Sequence, residues 1–140
     1  MFIDASAIVA ILKREPESTA MIAALKATEK AFCSQIARWE AVVSLAVQAS
    51  RKRGFQTMTP EDLEAAEVAV HELLQEIGAK DVILGDNIGK LARETAGRYG
   101  KIAGHPAQLN MSDCFAYAAA RNYRVPLLYK GDDFSKTDLA

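Results

Sequence analysis

The chain of 140 residues is long enough to bury a core of its own, and we predict a single domain over residues 1–140. Half of the residues are hydrophobic, a quarter are charged and the formal net charge is −1, which excludes a disordered chain and a polycation. No apolar stretch approaches the roughly 20 residues that cross a membrane, and no basic segment precedes the first apolar run as in a secretion signal. With Cys33 and Cys114 expected as free buried thiols, these features predict a cytoplasmic protein without membrane contact.

Short apolar segments alternate with longer amphipathic segments along the whole chain. Apolar side chains at helical spacing indicate the helices, and short apolar runs next to turn residues indicate buried strands. This alternation predicts an α/β fold, a three-layer α/β/α sandwich around a parallel sheet of about four or five strands. The predicted strands are residues 1–3, 31–33, 80–84 and 125–129. The predicted helices are residues 6–14, 16–28, 35–53, 60–77, 87–99 and 113–122.

Cap residues and prolines mark where several of these helices begin. Pro16 is expected in the first turn of the second helix, a position that suits a residue without an N–H group. The apolar stripe of the third helix, which includes Trp39, is expected to belong to the core, with contact to a second copy of the chain as the alternative. Side-chain oxygens that precede a helix accept its first free N–H groups. The expected caps are Ser34, Thr59, Asp86 and Ser112.

Five acidic residues fall where this fold class binds ligands. In an open parallel sheet, ligands bind beyond the carboxyl ends of the strands, where the following helices begin. Asp4 follows the first strand, Glu40 lies about two turns into the helix after the second strand, and Asp113 lies in the first turn of the last helix. Asp132 and Asp133 follow the last strand. We therefore expect these acids to converge although they are far apart in the sequence.

A cluster of carboxylates in a poorly solvated cleft requires positive charge. Without it the carboxylates repel one another, and some of them must take up protons. Oxygen ligands without His or Cys suit Mg²⁺ or Mn²⁺ rather than zinc. Such a site can hold a phosphodiester and activate a water molecule for in-line attack. A metal partner would explain why Asp4 lies in an apolar segment.

Other interpretations of these residues remain open at this point. Asp4 can be an N-cap, Asp113 a favourable charge in a first helical turn, and Asp132 with Asp133 a plain turn. Two other functions are a phosphatase in which Asp4 attacks phosphorus and a non-catalytic binding module. The phosphatase usually has a second Asp two positions further on, where this chain has Ser6, and the binding module predicts a degraded set of acids.

Four segments together resemble one family over nearly the whole chain and in the family's order. The chain is similar to PIN-domain ribonucleases, specifically the VapC toxins of bacterial toxin–antitoxin pairs. The segments that carry the resemblance are MFIDASAIVAIL, ARWEAVVSL, LNMSDCFAYAAAR and PLLYKGDDFSKTDL.

The resemblance implies Mg²⁺- or Mn²⁺-dependent endonucleolytic cleavage of RNA, a homodimer and inhibition by a small VapB-like antitoxin. Position by position, Asp4 and Asp113 match the family's principal metal ligands, and Glu40 matches the third acid. Ser6 matches a hydroxyl residue that supports the site in relatives. The resemblance therefore indicates the same acids that the predicted fold brings to one edge of the sheet.

The fourth acid and the segment before Asp113 are less well defined by the resemblance. Asp133 matches the aspartate of the family's G-x-D-F pattern, while Asp132 is also acidic and lies nearer the strand. The segment of residues 100–111 departs from the family's shorter version, and His105 within it is predicted to be structural or to contact RNA. Basic residues that could contact phosphates are Arg38, Arg51, Lys52, Arg53, Lys90, Arg93, Arg98 and Lys101.

Overall fold

The computed structural model describes residues 1–139 as a parallel sheet flanked by helices. The strands are β1 (Phe2–Ile3), β2 (Phe32–Ser34), β3 (Lys80–Val82) and β4 (Leu127–Leu128). The helices are α1 (Ala5–Leu12), α2 (Ser18–Ala27), α3 (Gln35–Lys52), α4 (Pro60–Ile77), α5 (Asp86–Tyr99) and α6 (Met111–Tyr123). The four strands of this described part are parallel and lie in the order β3-β2-β1-β4. The predicted three-layer α/β/α class is confirmed.

The centre of the sheet is β1, which pairs with β2 on one side and β4 on the other. Phe2 is in register with Phe32 and with Leu127, and Phe2, Ile3 and Cys33 are completely buried. Because helices cover the sheet, β1 and β4 are apolar without alternation, whereas the edge strand β3 exposes Lys80 and Asp81. All carboxyl ends of the strands point to one edge, which places the residues after β1, β2 and β4 next to one another.

Helices α3 and α4 form a hairpin that leaves the sheet and returns to it. The Thr59 side chain accepts the N–H of Asp62, and the Asp62 carboxylate accepts the N–H of Thr59, so both signals of a capping box are present. Arg53 donates two hydrogen bonds to the same carboxylate at 2.5 and 2.8 Å. These contacts lie at the end of the hairpin where residues 53–59 connect the two helices.

Helices α2 and α5 do not begin as predicted. The second helix begins at Ser18 rather than at Pro16, because Arg14 has a left-handed φ of 53° and Pro16 lies in a turn in which the Ser18 N–H donates to the Glu15 carbonyl at 2.9 Å. Helix α5 begins at Asp86 itself, with Gly85 at the cap position, so Asp86 does not cap it. The carboxylate of Asp86 lies in the first turn, where the helix dipole favours a negative charge.

The placement of Trp39 in the core is also wrong, since this residue is 66% exposed. The side of α3 that faces the core carries small residues, among them Ala37, Ala41 and Ala46, which let the helix approach the sheet closely. The two cysteines are buried free thiols, as expected. Within residues 1–139 the helices are too short or too polar to cross a membrane.

Candidate functional site

An open cleft of about 450 Å³ lies at the carboxyl edge of the sheet. This cleft is lined by most of the acids that were predicted for the site, although they come from four separate parts of the chain. The predicted site residues in its wall are Asp4, Ser6, Glu40, Asp113 and Asp133.

Asp4 is the most deeply buried carboxylate of the cleft lining, with only 3% of the residue exposed. Its Oδ2 caps α1 by accepting the N–H of Ser6 at 3.0 Å, and it also accepts the Ser6 hydroxyl at 2.5 Å. Its Oδ1 is buried and has no hydrogen-bond partner. Burial raises the pKa of Asp4 despite the hydrogen bonds from Ser6, and the nearby charge of Asp133 raises it further. The cap interpretation therefore accounts for one oxygen and leaves the other without a partner.

Ser6 connects Asp4 to the segment that follows the last strand. Its hydroxyl donates to Asp4 and accepts the backbone N–H of Lys130 at 2.9 Å. Asp133 lies three residues after Lys130. This hydroxyl thus fixes the start of the turn that carries Asp133 relative to Asp4.

Asp113 lies in the first turn of α6 and is 9% exposed. Its carboxylate accepts the N–H of Asn110 at 2.8 Å, and the Asn110 side chain accepts the N–H of Asp113 at 2.9 Å. Burial raises the pKa of Asp113 to about 7 against the hydrogen bond from Asn110, with further contributions from Asp4, Glu40 and Asp133. The prediction that Ser112 caps α6 is wrong, because the Asn110 capping box occupies that role.

Ser112 contacts Glu40 instead. Its hydroxyl donates to the carboxylate of Glu40, which comes from α3 and is half-buried. Burial raises the pKa of Glu40, the hydrogen bond from Ser112 lowers it, and the charge of Asp4 raises it. Helix α6 therefore contributes one carboxylate to the cleft and holds a second one in place.

The turn after β4 distinguishes the two adjacent aspartates. Asp133 lines the cleft next to Phe134, which is buried against Tyr129 with ring centroids 5.0 Å apart. Asp132 is exposed and does not line the cleft, and its backbone carbonyl accepts the Ser135 hydroxyl at 2.6 Å. The geometry favours Asp133 as the fourth acid.

The donor set fits a hydrated divalent cation rather than a metal enclosed by protein. Across residues 1–139, no three His, Cys, Asp or Glu side chains converge closely enough to hold an ion by themselves. Mg²⁺ normally keeps several waters and takes only one or two carboxylates directly. The buried Oδ1 of Asp4 has no hydrogen-bond partner, and burial raises the pKa of Asp4, Glu40 and Asp113, so added positive charge would stabilise their ionised forms.

Four residues near the cleft were not predicted as site residues. Asn110 had a detectable signal, because its position three residues before Asp113 matches a capping box. The others contact partners at least 72 positions away, and no local pattern reveals such pairs. The residues that were missed are Asn110, Ser112, Glu15 and Lys130.

His105 has a structural role in this fold. Its Nδ1 accepts the N–H of Ala107 at 3.1 Å, and its ring packs edge-on against Tyr99. Four of the predicted phosphate-contacting residues form ion pairs: Arg38 with Asp81, Arg53 with Asp62, Lys90 with Glu94 and Arg98 with Asp138. None of these residues lines the cleft.

Comparison with known proteins agrees with the resemblance carried by the four segments. The family model described as PIN domain matches residues 1–139. A VapC ribonuclease of Rhizobium meliloti (strain 1021) is 41% identical over 143 residues, covering 99% of this chain and 98% of the relative. Ribonuclease VapC28 of Mycobacterium tuberculosis (strain ATCC 25618 / H37Rv) is 34% identical, covering 98% of this chain and 93% of the relative. The chain belongs to the PIN domain family.

Proposed function

We propose that this chain is a metal-dependent endoribonuclease that acts as the toxin of a toxin–antitoxin pair. The observation that carries the proposal is the meeting of Asp4, Glu40, Asp113 and Asp133 in one cleft. Similar relatives that match nearly the whole chain are named VapC ribonucleases. RNA is therefore the substrate class that the family and the cleft support together.

Each cleft residue has a proposed role in this reaction. Asp4 and Asp113 hold the metal, with the unpartnered Oδ1 of Asp4 as one ligand atom. Glu40 and Asp133 complete the acidic wall, and Ser6 orients Asp4. When bound, a divalent cation supplies charge that stabilises the phosphodiester transition state and lowers the pKa of water. We assign Mg²⁺ to the site, with Mn²⁺ as a functional substitute.

The two alternative functions have less support from the site. In a phosphatase with Asp4 as the nucleophile, a second Asp would stand where Ser6 occupies the cleft wall and donates to Asp4. A non-catalytic module has no need of several carboxylates with raised pKa values in one cleft. The nuclease interpretation uses all of these residues.

A second copy of the chain and a small VapB-like antitoxin are the proposed protein partners. Ile102 and Met111 are 89% and 67% exposed, and both line an apolar groove between α5 and α6. Covering them in a homodimer would remove this apolar surface from water. Light scattering should give about twice the chain mass of 15.2 kDa, and Ile102→Glu should shift the protein towards a monomer. A monomeric parent at micromolar concentration would contradict the homodimer.

Chelation of the metal provides the direct test of the proposed activity. The purified chain, freed of any partner, should cleave single-stranded or looped RNA with Mg²⁺ or Mn²⁺, because added positive charge offsets the repulsion between the acidic cleft and a phosphodiester. Excess EDTA should stop the reaction, and added Mg²⁺ should restore it. Cleavage that persists in excess EDTA would remove the metal from the mechanism.

A further inference from the structure

The wall of the cleft carries five carboxylates and one basic side chain. Lys130, which follows β4, is the single lysine or arginine among the lining residues that the structure describes. An RNA strand brings one negative charge per phosphate into this acidic environment. A basic side chain at this position therefore has a direct bearing on how RNA enters.

The ammonium group of Lys130 is already paired with two carboxylates at the rim. It donates to Glu15, and Glu17 lies 3.6 Å away. The Lys130 side chain is 36% exposed and that of Glu15 is 22% exposed. An ammonium group has three donors, and the contact to Glu15 uses one of them as a hydrogen bond, so donors remain for a ligand beside the Glu17 ion pair.

Both partners of this ion pair are held by the backbone near the cleft. The N–H of Lys130 donates to Ser6, which in turn donates to Asp4. Glu15 belongs to the turn between α1 and α2, where its N–H donates to the carbonyl of Ala10 at 3.0 Å. The turn holds the Glu15 backbone independently of Lys130, and Lys13 lies 3.8 Å from the Glu15 carboxylate, so Glu15 remains near the rim when the ammonium turns towards a ligand.

We propose that Lys130 binds a phosphate of the RNA strand at the mouth of the cleft, and that Glu15 and Glu17 weaken this contact by competing for the ammonium group. The inference rests on the proposed ribonuclease function and extends it to substrate binding. A phosphate and a carboxylate are both anions that accept from the same donors. Removal of the Glu15 charge should therefore strengthen RNA binding, whereas removal of the Lys130 charge should weaken it.

The test compares Lys130→Met and Glu15→Gln with the parent on a fluorescent single-stranded RNA. Lys130→Met should raise KM up to about fivefold, and Glu15→Gln should lower it by a similar factor, the range of partly exposed ion pairs. In Lys130→Met the slope of log affinity against log salt should become shallower by about 0.7, the value for one phosphate contact to a single strand. Lys30→Met is the matched control, because exposed Lys30 precedes β2 at the opposite edge of the sheet.

Affinity is measured by fluorescence anisotropy in EDTA as well as by cleavage, so that the inference and the proposed function fail separately. If the parent cleaves RNA and Lys130→Met keeps the parental salt slope, Lys130 does not bind phosphate although the nuclease proposal stands. If the parent does not cleave RNA, the nuclease proposal fails and the anisotropy slopes still decide the role of Lys130. A KM for Glu15→Gln that is equal to or above the parental value overturns the competition, and misfolding cannot produce the expected decrease.

Discussion

Asp113→Asn will slow RNA cleavage by at least about 100-fold while the chain remains folded. Loss of a residue that only orients a metal ligand already lowers metal affinity or activity about 10- to 100-fold. The effect should be at least as large for Asp113, because this residue is proposed to bind the metal itself. Asparagine keeps the size of the side chain and its amide oxygen can still accept the N–H of Asn110. The measurement is the cleavage rate at saturating Mg²⁺, with a thermal melt to verify folding.

A matched control separates the loss of a ligand from the loss of a helix-end charge. Asp86 also lies in the first turn of a helix, but it is exposed and outside the cleft. Asp86→Asn should therefore cleave RNA at the parental rate.

In cells without a partner, the parent should arrest growth and Asp113→Asn should not. Equal toxicity of the parent and Asp113→Asn at equal expression would refute the assignment of Asp113.

Saturating metal will raise the melting temperature of the parent by about 8–15 °C. Metal binds only the folded state, so a concentration one hundred times Kd adds about 2.7 kcal/mol to the free energy of unfolding. For a chain of this size, that free energy corresponds to the stated shift. Asp113→Asn should gain much less because it lacks one ligand, whereas Asp86→Asn should gain as much as the parent. Thermal melts of the three proteins, in EDTA and in Mg²⁺ or Mn²⁺, decide the outcome. An equal shift in all three would show that Asp113 is not a ligand.

The pH of these melts determines how clearly the effect is seen. The pKa of Asp113 is raised to about 7, mainly by burial, above the ordinary value near 4. The folded chain holds this proton more tightly than the unfolded chain does, so the contribution of Asp113 to the free energy of unfolding is fully present below a pH of about 4. This contribution is lost as the pH rises through about 7 and the buried carboxyl group ionises. In EDTA the parent should therefore melt at a lower temperature at pH 8 than at pH 5, and Asp113→Asn should show a smaller difference. Metal has its largest effect at pH 8, where the carboxylate is ionised.

Local sequence signals determined most of the helices and the site's location. Thr59 and Gly78 bracket α4 as expected, because a capping oxygen and a glycine at φ 72° act on neighbouring backbone groups. The convergence of Asp4, Glu40 and Asp113 followed from topology, since parallel strands bring their carboxyl ends to one edge. These features depend on a few adjacent residues or on the order of elements, and both are present in the sequence.

The tertiary structure alone decided which side chains meet. The sequence is compatible with Ser112 as the cap of α6. In the structure, however, the Ser112 hydroxyl donates to Glu40 on α3, and Asn110 caps α6. Lys130 and Glu15 are 115 positions apart, and their pairing depends on how the turn after β4 faces the turn after α1. Such contacts are set by distance in space, and periodicity or capping patterns report only on neighbours along the chain. The sequence by itself therefore determined the fold class and the edge where the acids gather, whereas packing decided the hydrogen-bond partners and the charges that surround each acid.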